Sequence, residues 1–261
     1  MLYTLKSHFK FNKSETFSLI IIFFVLGFIF SFNQWDASDA SVGLRNLILA
    51  TAIVGISLLV KLSLQKLASL KVGYSAEFQT WIPGVLLSTL LVLLSNGRLM
   101  IPIIGAVSYS LIERQRIGHK YQAINFKTIA ILCAIGTFTH IILAALMKWM
   151  SSYFLTDIMM QGMKVNLLFA VVSVLPIPFI MQKTYFSNSE EKTLNFRTEG
   201  DTSEGLMLLF SSRLGYVCVL AFTITSSLLL LAMQPITALV LSLIYAIIIL
   251  TFYYIEGEST F

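Results

Sequence analysis

Residues 128–147 read TIAILCAIGTFTHIILAALM, twenty consecutive positions without a charged side chain. An α-helix needs about 20 predominantly apolar residues to cross roughly 30 Å of hydrocarbon, so this run has the length of a transmembrane helix. Similar apolar runs, separated by short polar breaks, occupy most of the remaining chain. The sequence therefore predicts a helical membrane protein and excludes a soluble enzyme, a disulfide scaffold and a transmembrane barrel.

The composition of the 261 residues supports this class, because 57% are hydrophobic, only 12% are charged and the mean hydropathy is +0.83. The net charge of +5 comes from Lys and Arg residues scattered among short loops, without the basic stripe that predicts nucleic-acid binding. Membrane lipid is the expected environment. Cys133 and Cys218 lie inside apolar runs without metal-ligand spacing, and we expect both to be buried small hydrophobes.

The sequence predicts an all-α polytopic protein with six to eight membrane segments in a single transmembrane domain, 1–261. The predicted spans are 16–33, 46–60 continuing to about 70, 81–95, 128–149, 164–182, 214–232 and 235–254. The segment 99–112 is apolar but short, and Pro102 and Gly105 break it. It is expected to re-enter the membrane or to return through it as extended chain covered by protein.

The distribution of basic residues predicts the orientation. If the N-terminus is cytoplasmic and 99–112 returns the chain to that side, fourteen Lys and Arg residues are cytoplasmic. The other side keeps four, namely Arg45, Arg98, Lys148 and Lys164. This positive-inside bias places both termini in the cytoplasm. The stretch 187–205 is rich in polar residues and predicts a mobile cytoplasmic loop, and 206–261 predicts a C-terminal helical hairpin.

Few polar side chains lie within the spans, and each is a candidate site residue because burial in hydrocarbon is costly. Lys61 and Gln65 share a helical face, but the favoured interpretation is that Lys61 and Lys66 extend to the cytoplasmic headgroups while Gln65 lies in the interface. His140 is expected to form a hydrogen bond between helices rather than to bind a metal. Asn166 is placed at the start of the fifth predicted helix.

The element Pro176-Ile177-Pro178 is the most informative break in a span. Two prolines remove two backbone donors and disfavour helix before each of them, so the chain around 174–179 is expected to be extended or kinked inside protein. Such a break beside a polar helix is where membrane proteins often form a binding site. A simple kink that helps neighbouring helices to pack is the equally weighted alternative.

Taken in order, these features resemble the site-2 protease family of intramembrane zinc metalloproteases, most closely its archaeal-type branch, over most of the chain. Two matches are specific. One is Ala76-Glu77-Phe78-Gln-Thr-Trp81-Ile-Pro83-Gly84, which is similar to the family's A-E-F-R-x-W-P-x-G. The other is Val174-Leu175-Pro176-Ile177-Pro178, which is similar to its L-L-P-I-P. The resemblance implies a site-2-protease-like core over 46–182.

The departures from the family pattern concern its catalytic residues. Where the family has H-E-x-x-H, this chain has Lys61, Leu62 and Gln65, and the family's third ligand, an aspartate, aligns with Met181. Zinc hydrolysis needs three nitrogen or oxygen ligands and a carboxylate base. An ammonium, an amide and a thioether replace the ligands here, and Lys61 would repel a dication. The resemblance thus implies the fold without catalytic residues, bound metal or cofactor.

The favoured hypothesis is a catalytically inactive, site-2-protease-like membrane protein that binds a transmembrane segment or partner subunit as a scaffold or regulator. The binding groove is expected to contain Gly136, Thr137, His140, Asn166, Pro176 and Pro178. One alternative is an active metalloprotease with ligands relocated to His140, Glu77, Glu113 and His119. Another is a small transporter or a structural subunit of a larger membrane complex. The low charge, the Ile/Phe/Ser-rich spans and the resemblance suggest an archaeal plasma membrane.

Overall fold

A computed structural model describes residues 9–35, 40–111, 126–153, 155–177 and 203–259. The helices of this part are α1 (Lys13–Ser31), α2 (Ala40–Lys71), α3 (Ile82–Leu94), α4 (Phe126–Ser151), α5 (Thr156–Val174), α6 (Glu204–Ser211), α7 (Arg213–Ala232) and α8 (Pro235–Ser259). A single 3-10 turn, Phe32–Gln34, follows α1. Two strands, β1 (Tyr74–Thr80) and β2 (Gly105–Leu111), complete the described elements.

Six of these helices are long and apolar enough to cross a membrane: α1, α2, α4, α5, α7 and α8. The prediction of an all-α polytopic protein is confirmed, and the architecture is that of a multi-pass membrane protein. Helix α4 is the central one, because 67% of its apolar window is buried inside the protein, compared with 17% for α8. The apolar surface left on α8 is suited to contact with lipid.

The predicted span 81–95 corresponds to the thirteen-residue helix α3, which is shorter than the six long apolar helices. At 1.5 Å per residue α3 alone covers about 20 Å. Its flanking residues extend this stretch along the whole of α1, because Glu77 accepts a hydrogen bond from Asn12 before α1 and the carbonyl of Gly97 accepts one from Asn33 after it.

Pro83 lies in the first turn of α3, where a missing backbone donor costs nothing, and Asn96 and Gly97 follow its end with positive φ. Those left-handed residues turn the chain towards 99–112.

Within the segment 99–112, predicted to re-enter the membrane or to return through it as extended chain, residues 105–111 are extended and form β2. Strand β2 pairs antiparallel with β1, from Tyr74 opposite Leu111 to Thr80 opposite Gly105. Along β1 the apolar residues Tyr74, Ala76 and Phe78 are buried and alternate with more exposed polar residues, which is the period of a strand with one face against the core. The hairpin packs on the end of α2, from which Gly73 (φ 82°) releases the chain.

The predicted span 164–182 is displaced, because α5 begins at Thr156 and ends at Val174. Its first turn carries Asp157, which is exposed, so the helix begins with a polar turn that the apolar pattern did not include. It ends before Pro176, and Leu175 is extended (φ −62°, ψ 131°). The predicted break around 174–179 is thus confirmed for 175–177. Pro178 lies outside the described residues.

The prediction of a C-terminal helical hairpin over 206–261 is confirmed for α7 and α8, which pack together and are separated by Met233 and Gln234. The prediction of a loop up to residue 205 is wrong at its end. Ser203 caps α6 through a hydrogen bond from the Leu206 backbone nitrogen (3.2 Å), and Glu204 is the first helical residue. The rest of the polar stretch, 187–202, lies outside the described residues.

Candidate functional site

Lys61, Leu62 and Gln65 lie on the inner face of α2. Their exposed fractions are 9%, 1% and 0%. The interpretation that Lys61 extends to the headgroups and Gln65 lies in the interface is therefore wrong. A cation buried among helices needs a counter-charge, since the cost of removing a charge from water is high.

Glu204 supplies that counter-charge. Its Oε1 lies 2.9 Å from Lys61 Nζ, and Gln65 Nε2 is 3.4 Å from the same oxygen. Gln65 Nε2 also donates to the carbonyl of Leu132 on α4 (3.3 Å). We refer to Lys61, Gln65 and Glu204 as the polar cluster. It joins α2, α4 and α6, and its acid comes from the end of the stretch that the sequence predicted to be a mobile loop.

Two glycines make room for the polar cluster. A Cβ at Gly136 would lie 2.3 Å from Gln65 Nε2 and 2.7 Å from Lys61 Cε. A Cβ at Gly205 would lie 2.1 Å from the carbonyl oxygen of Val174, where α6 meets the end of α5. Distances below 3.0 Å cannot be tolerated without displacement. Gly136 therefore admits the two α2 side chains, and Gly205 lets α6 approach closely enough for Glu204 to reach Lys61.

A cavity of about 40 Å³ adjoins the polar cluster, and its lining includes Lys61, His140, Phe169, Ser173 and Glu204. Glu204 lines the cavity, and its buried Oε2 accepts no hydrogen bond from a described residue. The space exceeds the minimum needed for one water molecule, and an unpaired acceptor is a partner that a buried water requires. The cavity is suited to water and is too small for a peptide segment.

A second buried ion pair on α2 has a different character. Lys66 Nζ lies 2.6 Å from Glu15 Oε2, donates to the carbonyl of Lys10 (3.0 Å) and sits 4.0 Å from the ring centroid of Phe11. Glu15 also accepts from the backbone nitrogen of Phe78 (3.0 Å), so α1, α2 and β1 meet there. Lys66 has two hydrogen-bond acceptors and an aromatic face, and both carboxylate oxygens of Glu15 accept hydrogen bonds, so we assign this pair a structural role. The predicted extension of Lys66 to the headgroups is wrong as well.

His140 forms the interhelical hydrogen bond that the sequence analysis expected. Its Nδ1 lies 3.0 Å from Asn166 Oδ1, and its ring stacks on Phe169 at 5.1 Å between centroids. Asn166 Nδ2 donates to Ser57 Oγ and to the Gly162 carbonyl, each at 2.9 Å. Asn166 is fully buried in the middle of α5, so its predicted place at a helix start is wrong. This network connects α2, α4 and α5.

The residues expected to form a groove are only partly brought together. Gly136, Thr137, His140 and Asn166 lie on the facing surfaces of the helices, but the last three are at most 1% exposed. Thr137 and Ser173 form a 2.9 Å hydrogen bond across the contact between α4 and α5. Pro176 follows α5, and the next residue, Ile177, packs against Ala106 of β2. The described groove is closed, whereas Pro178 and Met181 lie outside the described residues.

The described residues do not bring together the zinc ligands that the relocated-ligand alternative requires. Glu77 lies on β1 and accepts from Asn12 Nδ2 at 2.9 Å, whereas His140 faces Asn166. Within 9–35, 40–111, 126–153, 155–177 and 203–259, no three His, Cys, Asp or Glu side chains form a group that could hold a metal ion. Glu113 and His119 lie outside the described residues.

Tyr109 of β2 extends the buried polar region beyond the residues that the sequence predicted. It is 6% exposed, and its hydroxyl lies beside the thiol of Cys133. Burial raises the pKa of Tyr109 well above its usual value, and the neighbouring Cys133 and Glu204 raise it further. Cys133 is 1% exposed and Cys218 is half-buried. The expectation of burial is thus confirmed for Cys133.

Comparison of the chain with protein-family models, with curated proteins and with solved structures finds no match to any of the three.

Proposed function

We propose that this chain is a catalytically inactive, site-2-protease-like membrane protein that binds a transmembrane segment or partner subunit as a scaffold or regulator. The observation that carries the proposal is the polar cluster. At the positions that the resemblance assigns to two zinc ligands, a lysine and an amide are joined to a glutamate. Lys61 supplies the positive charge that a metal ion would bring to this position, and Glu204 supplies the negative charge that balances Lys61.

The chemistry of these side chains supports a non-enzymatic role. Leu62 replaces the general base of the family pattern, and an alkyl group cannot accept a proton. The ammonium of Lys61 opposes a dication at the same position, and Glu204 is already bound to it at 2.9 Å. The small cavity beside them offers space for water and none for a scissile peptide.

The closed groove makes partner binding depend on α6. A transmembrane segment that enters beside the break after α5 has to separate Ile177 from Ala106 or move α6, which packs by Gly205 against the Val174 carbonyl. We therefore place the partner at the junction of α4, α5 and α6, with Lys61 and Glu204 holding the unbound form closed. By the positive-inside bias this junction faces the cytoplasm, in a plasma membrane with both termini cytoplasmic.

The test is purification of the full chain from its native membrane in mild detergent, with zinc and co-purifying polypeptides measured on one sample. We expect a second membrane protein to co-purify with the chain at a fixed stoichiometry. We expect about 0.1 zinc ions per chain or fewer, and no cleavage of transmembrane peptides. A photo-crosslinking residue at Ser173 should label the partner, and one at Ile244 on the exposed face of α8 should not. Stoichiometric zinc or peptide cleavage would overturn the proposal.

The resemblance itself has a separate test. The quadruple substitution Lys61→His, Leu62→Glu, Gln65→His and Met181→Asp restores the family's ligand set, and we expect this variant to bind one zinc ion tightly. The control, Val60→His with Leu64→His, keeps the same spacing on a different face of α2 and supplies only two ligands. Equal zinc affinity in the two variants would show that 61, 65 and 181 do not converge.

A further inference from the structure

A second and larger cavity lies at the opposite end of α2 from the polar cluster. It occupies about 770 Å³ where α1 ends and where α2 and α5 begin. Its wall includes Phe30 and Val165, which are buried, and Leu49 and Leu168, which are half-buried. The volume lies within the range of about 300–1,000 Å³ that is typical of ligand sites. The apolar wall is suited to a hydrocarbon chain.

Charged side chains form the rim of this cavity. Arg45 and Lys164 both line it and are exposed, and neither forms an ion pair with a residue that the structure describes. Asp157 is the single acid among the lining residues that the structure describes. Within this described lining, two cations stand against one carboxylate, a set that complements a monoanion better than a dianion. Two of the four basic residues predicted on this side of the membrane therefore meet at one cavity.

Aromatic side chains place this end of the bundle at the membrane interface. Trp35 follows α1 and is 42% exposed, and Trp149 and Tyr153 at the end of α4 are 52% and 69% exposed. The rings of Trp149 and Tyr153 pack edge to face at 5.5 Å. Exposed Trp and Tyr residues concentrate at the level of the lipid headgroups. The charged rim thus lies at headgroup depth, with the apolar wall running towards the hydrocarbon.

We propose that this cavity binds one anionic phospholipid from the adjacent leaflet. The phosphodiester, a monoanion, lies between Arg45 and Lys164, and an acyl chain follows Phe30, Leu49 and Leu168. The guanidinium of Arg45 is suited to bidentate contact with two phosphate oxygens, whereas Lys164 contributes a point charge. This site is independent of the polar cluster and of the proposed function.

The experiment is native mass spectrometry of the full chain in detergent, titrated with phosphatidylglycerol and separately with phosphatidylcholine. One phosphatidylglycerol is expected to bind per chain, and phosphatidylcholine more weakly. The double substitution Arg45→Gln with Lys164→Gln should weaken phosphatidylglycerol binding about twenty-five-fold, since each basic residue contributes roughly a factor of five. Arg98→Gln is the matched control, because Arg98 is exposed at the same end but does not line the cavity.

Two further measurements distinguish the contribution of the acyl chain to binding from that of the headgroup. Leu168→Trp fills the apolar wall and should reduce phosphatidylglycerol binding while the thermal midpoint shows that the chain remains folded. Millimolar inorganic phosphate should not displace the lipid. Displacement by phosphate, or phosphate binding that Leu168→Trp leaves unchanged, would assign the site to a free anion and overturn the proposal. Equal affinities for the two lipids, or equal losses in the double variant and Arg98→Gln, would also overturn it.

Discussion

Lys61 Nζ lies 2.9 Å from Glu204 Oε1, although Lys61 is in the second helix and Glu204 begins the sixth. Both side chains are buried, and Gln65 donates to the same carboxylate oxygen. The pair fixes α6 against α2 and closes the space beside the break after α5. A buried ion pair that retains an unpaired acceptor, here Glu204 Oε2, is less firmly held than one with all acceptors filled.

Removal of one member of this pair should be strongly destabilising. Glu204→Gln leaves the ammonium of Lys61 buried without a counter-charge, and we expect a loss of about 3–5 kcal/mol in the free energy of unfolding. Unfolding of the detergent-solubilised chain, followed by circular dichroism, measures this loss. Asp157→Asn, at an exposed acid, is the control and should change stability by less than about 0.5 kcal/mol.

The double substitution Lys61→Met with Glu204→Leu removes both charges at once. Replacement of a buried pair by apolar groups is often neutral, so this variant should recover most of the stability that Glu204→Gln loses. If the double variant is as unstable as Glu204→Gln, the pair does not account for the loss.

Substitution of three glycines by alanine is expected to lower the free energy of unfolding by different amounts, which follow from the contacts of the added methyl group. Gly205→Ala meets the Val174 carbonyl at 2.1 Å, and this backbone group cannot move aside, so a loss of about 2–3 kcal/mol is expected. Gly136→Ala meets the movable ends of Gln65 and Lys61 and should lose about 1–2 kcal/mol. Gly55→Ala meets Phe23 at an ordinary 3.5 Å and is the buried control, with little change.

A double-mutant cycle shows whether Gly205 acts through Glu204. If Gly205→Ala displaces Glu204 from Lys61, its cost in the Glu204→Gln background should fall by at least about 1 kcal/mol, since the contact has already been lost there. Additive costs would indicate that Gly205 contributes only through its own packing against α5.

The long apolar helices were predictable, because a run of about 20 apolar residues is by itself long enough to cross the hydrocarbon layer. The predicted run 128–149 is Phe126–Ser151 in the structure, and 235–254 is Pro235–Ser259. Helix α5 was misplaced because Asp157 and Gln161 lower the hydropathy of its first two turns. Hydropathy detects what faces hydrocarbon, and it does not detect helix that extends into the polar interface.

Two local patterns in the sequence indicate elements that the predicted spans did not include. Tyr74, Ala76 and Phe78 alternate with Ser75, Glu77 and Gln79, which is the pattern of a half-buried strand. Ser203 and Glu204 precede the apolar run Leu206–Phe210, which is the pattern of a helix N-terminus, but they end a long polar stretch. The meeting of Glu204 with Lys61 could not be predicted, because it depends on how α6 packs against α5.

The buried asparagine network should also contribute measurably to stability. Asn166→Leu removes the acceptor of His140 and a donor to Ser57, and unpaired buried groups cost about 1–3 kcal/mol. The control is Thr139→Val, because the one hydrogen bond of the Thr139 hydroxyl within the described residues is to the Ile135 carbonyl of its own helix (2.7 Å). Unfolding in detergent compares the two variants. A larger loss in Thr139→Val than in Asn166→Leu would contradict the assignment.

Tyr109 should make stability fall at alkaline pH. Below its usual pKa of 10.0 the phenol is protonated in both the folded and the unfolded chain, so its contribution is constant. Above pH 10 the unfolded chain loses this proton, whereas burial keeps Tyr109 protonated in the folded chain because its pKa is raised. Folding then becomes less favourable as pH rises, by up to about 1.4 kcal/mol per pH unit.

Tyr109→Phe should remove this alkaline fall and should change the free energy of unfolding at pH 8 by less than about 1 kcal/mol, because the contact that it deletes, with the thiol of Cys133, is weak. The free energy of unfolding, measured from pH 8 to 11, tests both effects. Tyr153→Phe, at a position that is 69% exposed, is the control and should retain the fall. If Tyr109→Phe destabilises the chain by more than this at pH 8, the hydroxyl has a further partner that stabilises it, and the buried polar region around Cys133 and Glu204 extends to include it.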